Sequence, residues 1–178
     1  SHTMRGEDWV DHSWGAQVIL YGLYEIAGDV GLALYVAMLA TGGMAMLYPL
    51  CAGNVYLRAF ALVLGAATAA IFWSARPHML SFFLSTVIFF LLYRYKRDKI
   101  DWLWFIPLLM LVWGNLHAGF SIGFIFMGGL IAGEILGHLT NPQRADRIPW
   151  TGIRKLVIVA LLSVVALVVN PYGLQLLA

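Results

Sequence analysis

Three polar motifs lie at the edges of long apolar runs: Arg76-Pro77-His78, Asn115-Leu116-His117 and Asn170-Pro171-Tyr172. Their side chains suit the handling of an anion. A guanidinium can hold a phosphate or carboxylate through two parallel hydrogen bonds. An imidazole near neutral pH can bind phosphate or move a proton, which makes His78 and His117 binding candidates and His117 a possible general base. Asn115 and Asn170 can orient a ligand's oxygens. Each motif also has a plainer reading. Arg76 can snorkel to lipid headgroups beside an anchoring Trp73. Asn115 and His117 can cap helix ends. Asn170-Pro171-Tyr172-Gly173 reads as a helix stop followed by a turn.

A fourth polar stretch opens the chain. Asp8, Asp11 and His12 place two carboxylates and an imidazole within five residues. Such a set can act as general acid and base or bind a divalent cation. It can equally be a solvated loop whose Asp11 or Ser13 caps the following helix. Glu134 and His138 stand four apart on a helical pattern and read as a local pair rather than a proton path. Cys51 is the single cysteine, which excludes a disulfide framework and a cysteine metal site. There is no P-loop, dinucleotide fingerprint, nucleophile elbow or zinc pattern. Nothing in the basic segments points to nucleic acid.

Most of the chain must hold these residues inside a bilayer. Of 178 residues, 61% are hydrophobic and 11% charged. Soluble domains carry about 25% charge, so this is an integral, all-α membrane protein. Six apolar segments cover roughly 30–50, 57–73, 79–93, 102–115, 120–137 and 156–169. The third, fourth and sixth fall short of the ~20 residues that cross a bilayer. They either extend into flanking polar residues or leave a recess. Before them, residues 13–27 carry Trp14, Tyr21 and Tyr24 and read as a helix lying along the membrane interface. The chain thus divides into an outer segment with an interfacial helix at 1–28 and a six-helix bundle at 29–178. It begins in a polar segment and stops directly after a span, as part of a longer polytopic protein would.

Charge bias orients the bundle. Arg58, Arg94, Lys96, Arg97, Lys99, Arg144, Arg147, Arg154 and Lys155 fall on one face, against Arg5 and Arg76 on the other. The first face is expected to be cytoplasmic and residues 1–28 extracytoplasmic, in a multi-pass protein of a bacterial inner membrane. All four polar stretches then share the outer face, where ionisable groups near hydrocarbon default to a functional hypothesis. Small residues recur every four positions: Ala33, Ala37, Thr41 and Ala45; Ala61, Gly65 and Ala69; Gly129, Gly133 and Gly137. They read as contact faces for packing within the bundle. Gly119 is expected to pack against Gly123, one turn on. No repeated half and no ionisable group at the centre of a span speak for a transporter.

These motifs resemble those of bacterial polytopic membrane proteins grouped with the C-type glycosyltransferase superfamily, relatives of oligosaccharyltransferases and mannosyltransferases. The resemblance rests on Ser1 to Trp14, read as Ser-x-Thr-x-x-Gly-x-x-Trp-x-x-His-x-Trp, with Arg76-Pro77-His78, Asn115 to Phe120 and Asn170 to Gly173. Ser1 to Met4 fall within the pattern and are read as native sequence. The resemblance implies a polyprenyl-phosphate-linked sugar as donor and a site on the outer face. Arg76 would hold the phosphate, with His78, Asn115, His117, Asn170 and Tyr172 around the donor. The family's paired acidic motif belongs upstream of Ser1, so Asp8, Asp11 and His12 are the catalytic candidates this chain offers. The alternative is a non-catalytic scaffold among other membrane subunits, for example in a respiratory or photosynthetic electron-transfer complex.

Overall fold

The computed structural model describes residues 13–141 and 145–170. Among them every regular element is helical: α1 (Trp14–Leu47), α2 (Val55–Ala69), α3 (His78–Arg97), α4 (Phe105–Leu116), α5 (Ser121–Thr140) and α6 (Trp150–Val168). Short 3-10 turns follow α1 and α2 and join α4 to α5. Five of these stretches are long and apolar enough to cross a membrane, and α4 is a shorter apolar helix. The chain is a multi-pass helical membrane protein.

α1 carries both the segment read as interfacial and the first span, with a break between them. Gly28 sits at φ 56° and ψ −143°, a conformation that favours glycine. The chain then folds back so closely that a β-carbon on Gly31 would lie 2.4 Å from the Leu23 carbonyl oxygen. Gly31 therefore has no room for a side chain.

Two of the short spans gain length from their flanks. α3 takes in His78 at one end and Arg94 to Arg97 at the other, reaching 20 residues. α6 starts at Trp150 and reaches 19. Only α4 stays short, at 12 residues, about 18 Å at 1.5 Å per residue. Pro77 lies beyond the end of α2. The helix gives way to the turn Ala70–Phe72, and Pro77 sits at the N-cap of α3. There its missing N–H costs nothing.

The bundle has two apolar clusters. The larger joins α3, α4, α5 and α6 around Ile88, Ile106, Met110, Trp113 and Leu156. The smaller joins α1 to the start of α3 through Ala16, Tyr35, Ala40 and Met79. α2 stands apart, with no buried residue. The small-residue stripes do not do the packing expected of them. Ala33, Ala37, Thr41, Ala45 and Ala61 are exposed. A β-carbon on Gly65, Gly129, Gly133 or Gly137 would meet nothing within 4 Å. Close approach occurs elsewhere, at Gly42 and Gly43 against Phe83 and Phe82.

Candidate functional site

The bundle gathers the described polar motifs at one end, here called the motif end. The α2–α3 connection, the α4–α5 connection, the end of α6 and the start of α1 meet there. A β-carbon on Gly15 would lie 2.5 Å from the Asn115 carbonyl oxygen, so the first turn of α1 rests on the end of α4.

Arg76 is held by its backbone. Its carbonyl accepts from the Tyr35 hydroxyl of α1 at 3.2 Å and from the Met79 N–H at 3.1 Å. Its side chain is exposed, with no hydrogen bond or ion pair to the described residues. A positioned backbone with an uncommitted guanidinium is the arrangement an anion needs. His78 is committed at one nitrogen: Nε2 donates to the Phe72 carbonyl at 2.6 Å. That bond closes the α2–α3 connection over Arg76. Trp73 is half-buried against Phe82, ring centroids 6.3 Å apart.

Asn115 and Asn170 join α4 to the end of α6. The Asn115 amide nitrogen donates to the Leu111 carbonyl at 2.9 Å and the Val169 carbonyl at 3.0 Å. The Asn170 amide nitrogen donates to the Gly114 carbonyl at 3.0 Å and to Asn115 Oδ1 at 3.2 Å. Both N–H groups of each amide are spent on protein. At the Gly114 and Val169 carbonyls these amides satisfy acceptors left over where two apolar helices stop.

His117 closes the set. It ends α4, and its Nδ1 accepts from the Gly119 N–H at 3.1 Å. Nδ1 also lies 2.7 Å from Ser81 Oγ, and Trp113 Nε1 donates to that same oxygen at 2.8 Å. The directions follow from the chemistry. An indole N–H only donates, so Ser81 accepts from Trp113 and turns its own proton toward His117. A nitrogen receiving two donors carries no proton, so the ring proton sits on Nε2. Burial, reinforced by the nearby His78, lowers the pKa of His117 below its ordinary 6.5. His117 is thus a neutral ring with a fixed tautomer. It offers an Nε2–H donor at the motif end, and a general-base role at Nε2 does not fit that tautomer.

Ser81 and Trp113 were not singled out from the sequence. Both sit inside apolar helices, and only the three-residue step from His78 to Ser81 marks the face of α3 they share. Gly119 packs against this relay rather than Gly123: its β-carbon would lie 2.3 Å from Ser81 Oγ. The same crowding leaves Ser81 no opening to act as a nucleophile.

Asp8, Asp11, His12 and Tyr172 lie outside the described residues. Among the described residues no three His, Cys, Asp or Glu side chains gather as a metal site. Glu134 and His138, expected to pair, instead share a target at the opposite, basic end. Glu134 Oε2 accepts the Ile148 N–H at 2.8 Å, and His138 Nε2 donates to the Ile148 carbonyl at 2.8 Å. Glu134 Oε1 is paired with Lys96 of α3. Comparison with family models, with curated proteins and with solved structures returned no match for this chain.

Proposed function

We propose that the chain is the membrane core of a glycosyltransferase of the C-type kind, binding a polyprenyl-phosphate-linked sugar at the motif end. In this reading that end faces outward from a bacterial inner membrane, which the excess of Lys and Arg at the other end supports. The observation that carries the reading is Arg76, whose backbone is clamped by Tyr35 while its guanidinium stays uncommitted. Arg76 holds the phosphate. The Nε2–H of His117 donates to an oxygen of the donor. Asn115 and Asn170 act indirectly, by fixing where α4 and α6 end. Asp8, Asp11 and His12 approach the acceptor, with Asp8 and Asp11 the pair that would take a divalent cation.

The test is binding and turnover of polyprenyl-phospho-sugars by the intact protein. Arg76→Ala removes a charge-assisted bond and is expected to weaken donor binding by about tenfold or more. Unfolding stability should stay within about 0.5 kcal/mol, because the side chain is exposed. Arg76→Lys should recover part of the binding. An intact protein that neither binds nor turns over any such donor ends this reading.

A second reading, a non-catalytic subunit of a larger membrane assembly such as an electron-transfer complex, draws on a different observation. The small-residue stripes face away from the bundle, and α2 buries nothing. Gentle extraction followed by mass spectrometry decides it: stoichiometric partners favour the scaffold, and migration alone removes it.

A further inference from the structure

We infer that the groove between α3 and α5 at the basic end is a binding site for one anionic glycerophospholipid, distinct in place and ligand from the donor site proposed above. The groove encloses about 420 Å³. That falls within the ~300–1,000 Å³ usual for small-molecule sites. Its α3 wall is Phe89, Leu92, Tyr93, Lys96 and Arg97, and its α5 wall includes Phe126 and Leu130. These α3 positions are spaced three and four apart and lie on one helix face.

Polarity changes along that face in one direction. Phe89 is 42% exposed and meets Phe126 edge-on at 5.5 Å, so the groove is aromatic and open toward the bilayer. One turn on comes the Tyr93 hydroxyl, and one more turn brings Lys96 and Arg97. The step from Phe89 to Arg97 is eight residues, about 12 Å at 1.5 Å per residue. An apolar wall passing through a phenol to two cations over that distance matches an acyl chain, a glycerol ester and a phosphate in order.

Charge complementarity selects an anionic lipid. Lys96 is engaged by buried Glu134, so its charge is largely answered within the protein. Arg97 is not. Its side chain is 56% exposed and stands 3.8 Å from Asp146, a loose ion pair on an exposed surface. Such a pair contributes little and gives way readily to a better anion. A fork of guanidinium donors at the mouth of an apolar groove selects a phosphate that carries net negative charge over one balanced by choline.

The experiment is native mass spectrometry of the intact protein exchanged from detergent into equimolar phosphatidylglycerol and phosphatidylcholine of matched chains. Phosphatidylglycerol should be retained about fivefold over phosphatidylcholine, the value of one basic side chain near the headgroup layer. Arg97→Ala should remove that preference and Arg97→Lys should restore most of it. Leu130→Trp, which fills the groove, should lower retention of both lipids. Equal retention of the two lipids by the wild type would overturn the inference. So would a preference untouched by Arg97→Ala. Displacement of phosphatidylglycerol by equimolar polyprenyl phosphate would assign the groove to that lipid instead. Should Leu130→Trp not fold, the two Arg97 variants, at an exposed position, decide the matter alone.

Discussion

At the motif end the buried and half-buried polar contacts are made by neutral groups: an indole N–H, a serine hydroxyl, an unprotonated imidazole nitrogen and two carboxamides. At the basic end a carboxylate 4% exposed is matched by a lysine, and both of its oxygens are used. Each end solves the same problem, a chain that must leave a helix at the margin of an apolar bundle. The motif end spends short side chains on backbone carbonyls and leaves the guanidinium of Arg76 uncommitted among the described residues. The basic end spends charge on structure. Glu134 and His138 take the N–H and the carbonyl of Ile148, and the His138 ring stacks on Trp150 at 4.6 Å. That clamp seats Ile148, 2% exposed, at the base of the bundle. A free charge is available for a ligand only where the fold does not consume it.

Breaking the ionic end should cost most. Glu134→Ala leaves Lys96 facing the bundle without its partner and the Ile148 N–H unpaired. Loss of one member of a buried pair costs about 3–5 kcal/mol, and the lower part of that range is expected because Lys96 is 21% exposed. Denaturant unfolding in detergent measures it. Replacing the pair by Glu134→Met with Lys96→Met should recover much of the loss, since two well-packed apolar side chains leave no stranded charge. A double variant as unstable as Glu134→Ala would show that the Ile148 contact, not the ion pair, dominates.

The motif end is sensitive to volume before charge. Gly119→Ala would force a β-carbon to 2.3 Å from Ser81 Oγ and 3.0 Å from His117 Nδ1. Overpacking of that kind costs about 1–3 kcal/mol. Gly129→Ala is the matched control, because its β-carbon meets nothing within 4 Å. It should cost nothing, and helix propensity favours it by up to about 1 kcal/mol. Thermal unfolding of the two variants side by side separates a packed glycine from one that faces away from the bundle.

Smaller still is the relay itself. Ser81→Ala strands the Trp113 indole N–H, which is fully buried, at a cost of about 1–2 kcal/mol. The sharper readout is nitrogen NMR of the His117 ring. With Ser81 present, the Nε2–H tautomer should dominate. Without it, only the Gly119 N–H still aims at Nδ1, and the Nδ1–H form should grow. An unchanged tautomer ratio would assign the lock to Gly119 alone.

The helical class, the apolar segments and the meeting of Arg76, His78, Asn115, His117 and Asn170 at one end were legible in the sequence. Hydropathy and charge bias act over whole segments, and helices crossing a bilayer in turn leave little freedom over which end a connection occupies. Pairings were not legible. Glu134 finds Lys96 across 38 residues, and Trp113 finds Ser81 across 32. Such contacts depend on which helix faces which neighbour, and an apolar stripe in lipid carries little record of that. The glycine stripe of α5 shows the same gap. Its four-residue spacing places Gly129, Gly133 and Gly137 on one face but does not say what, if anything, that face meets. Ser81 and Trp113 went unnoticed because a lone hydroxyl or indole in an apolar run looks like filler until its partner is known.

The finest distinction between the two ends is their response to acid. His117 has a pKa below its ordinary 6.5 because burial, and then the charge of His78, disfavours the protonated ring. Well above pH 7 the ring is neutral in the folded and the unfolded chain, so it adds no pH dependence there. As pH falls through 6.5 the unfolded chain takes up the proton first, and protonation pulls the equilibrium toward unfolding. The loss grows until the folded ring is protonated too, then levels off. Protonation has an immediate structural meaning, because a proton on Nδ1 would confront the Gly119 N–H and expel the Ser81 proton. His117→Asn keeps an acceptor for the Gly119 N–H and removes the titration. Between about pH 7.5 and about pH 5.5, a window centred on the histidine range, the wild type should lose more melting temperature than His117→Asn. Parallel curves for the two proteins would mean that another group governs the acid response and that the motif end keeps its neutral bonds through this range.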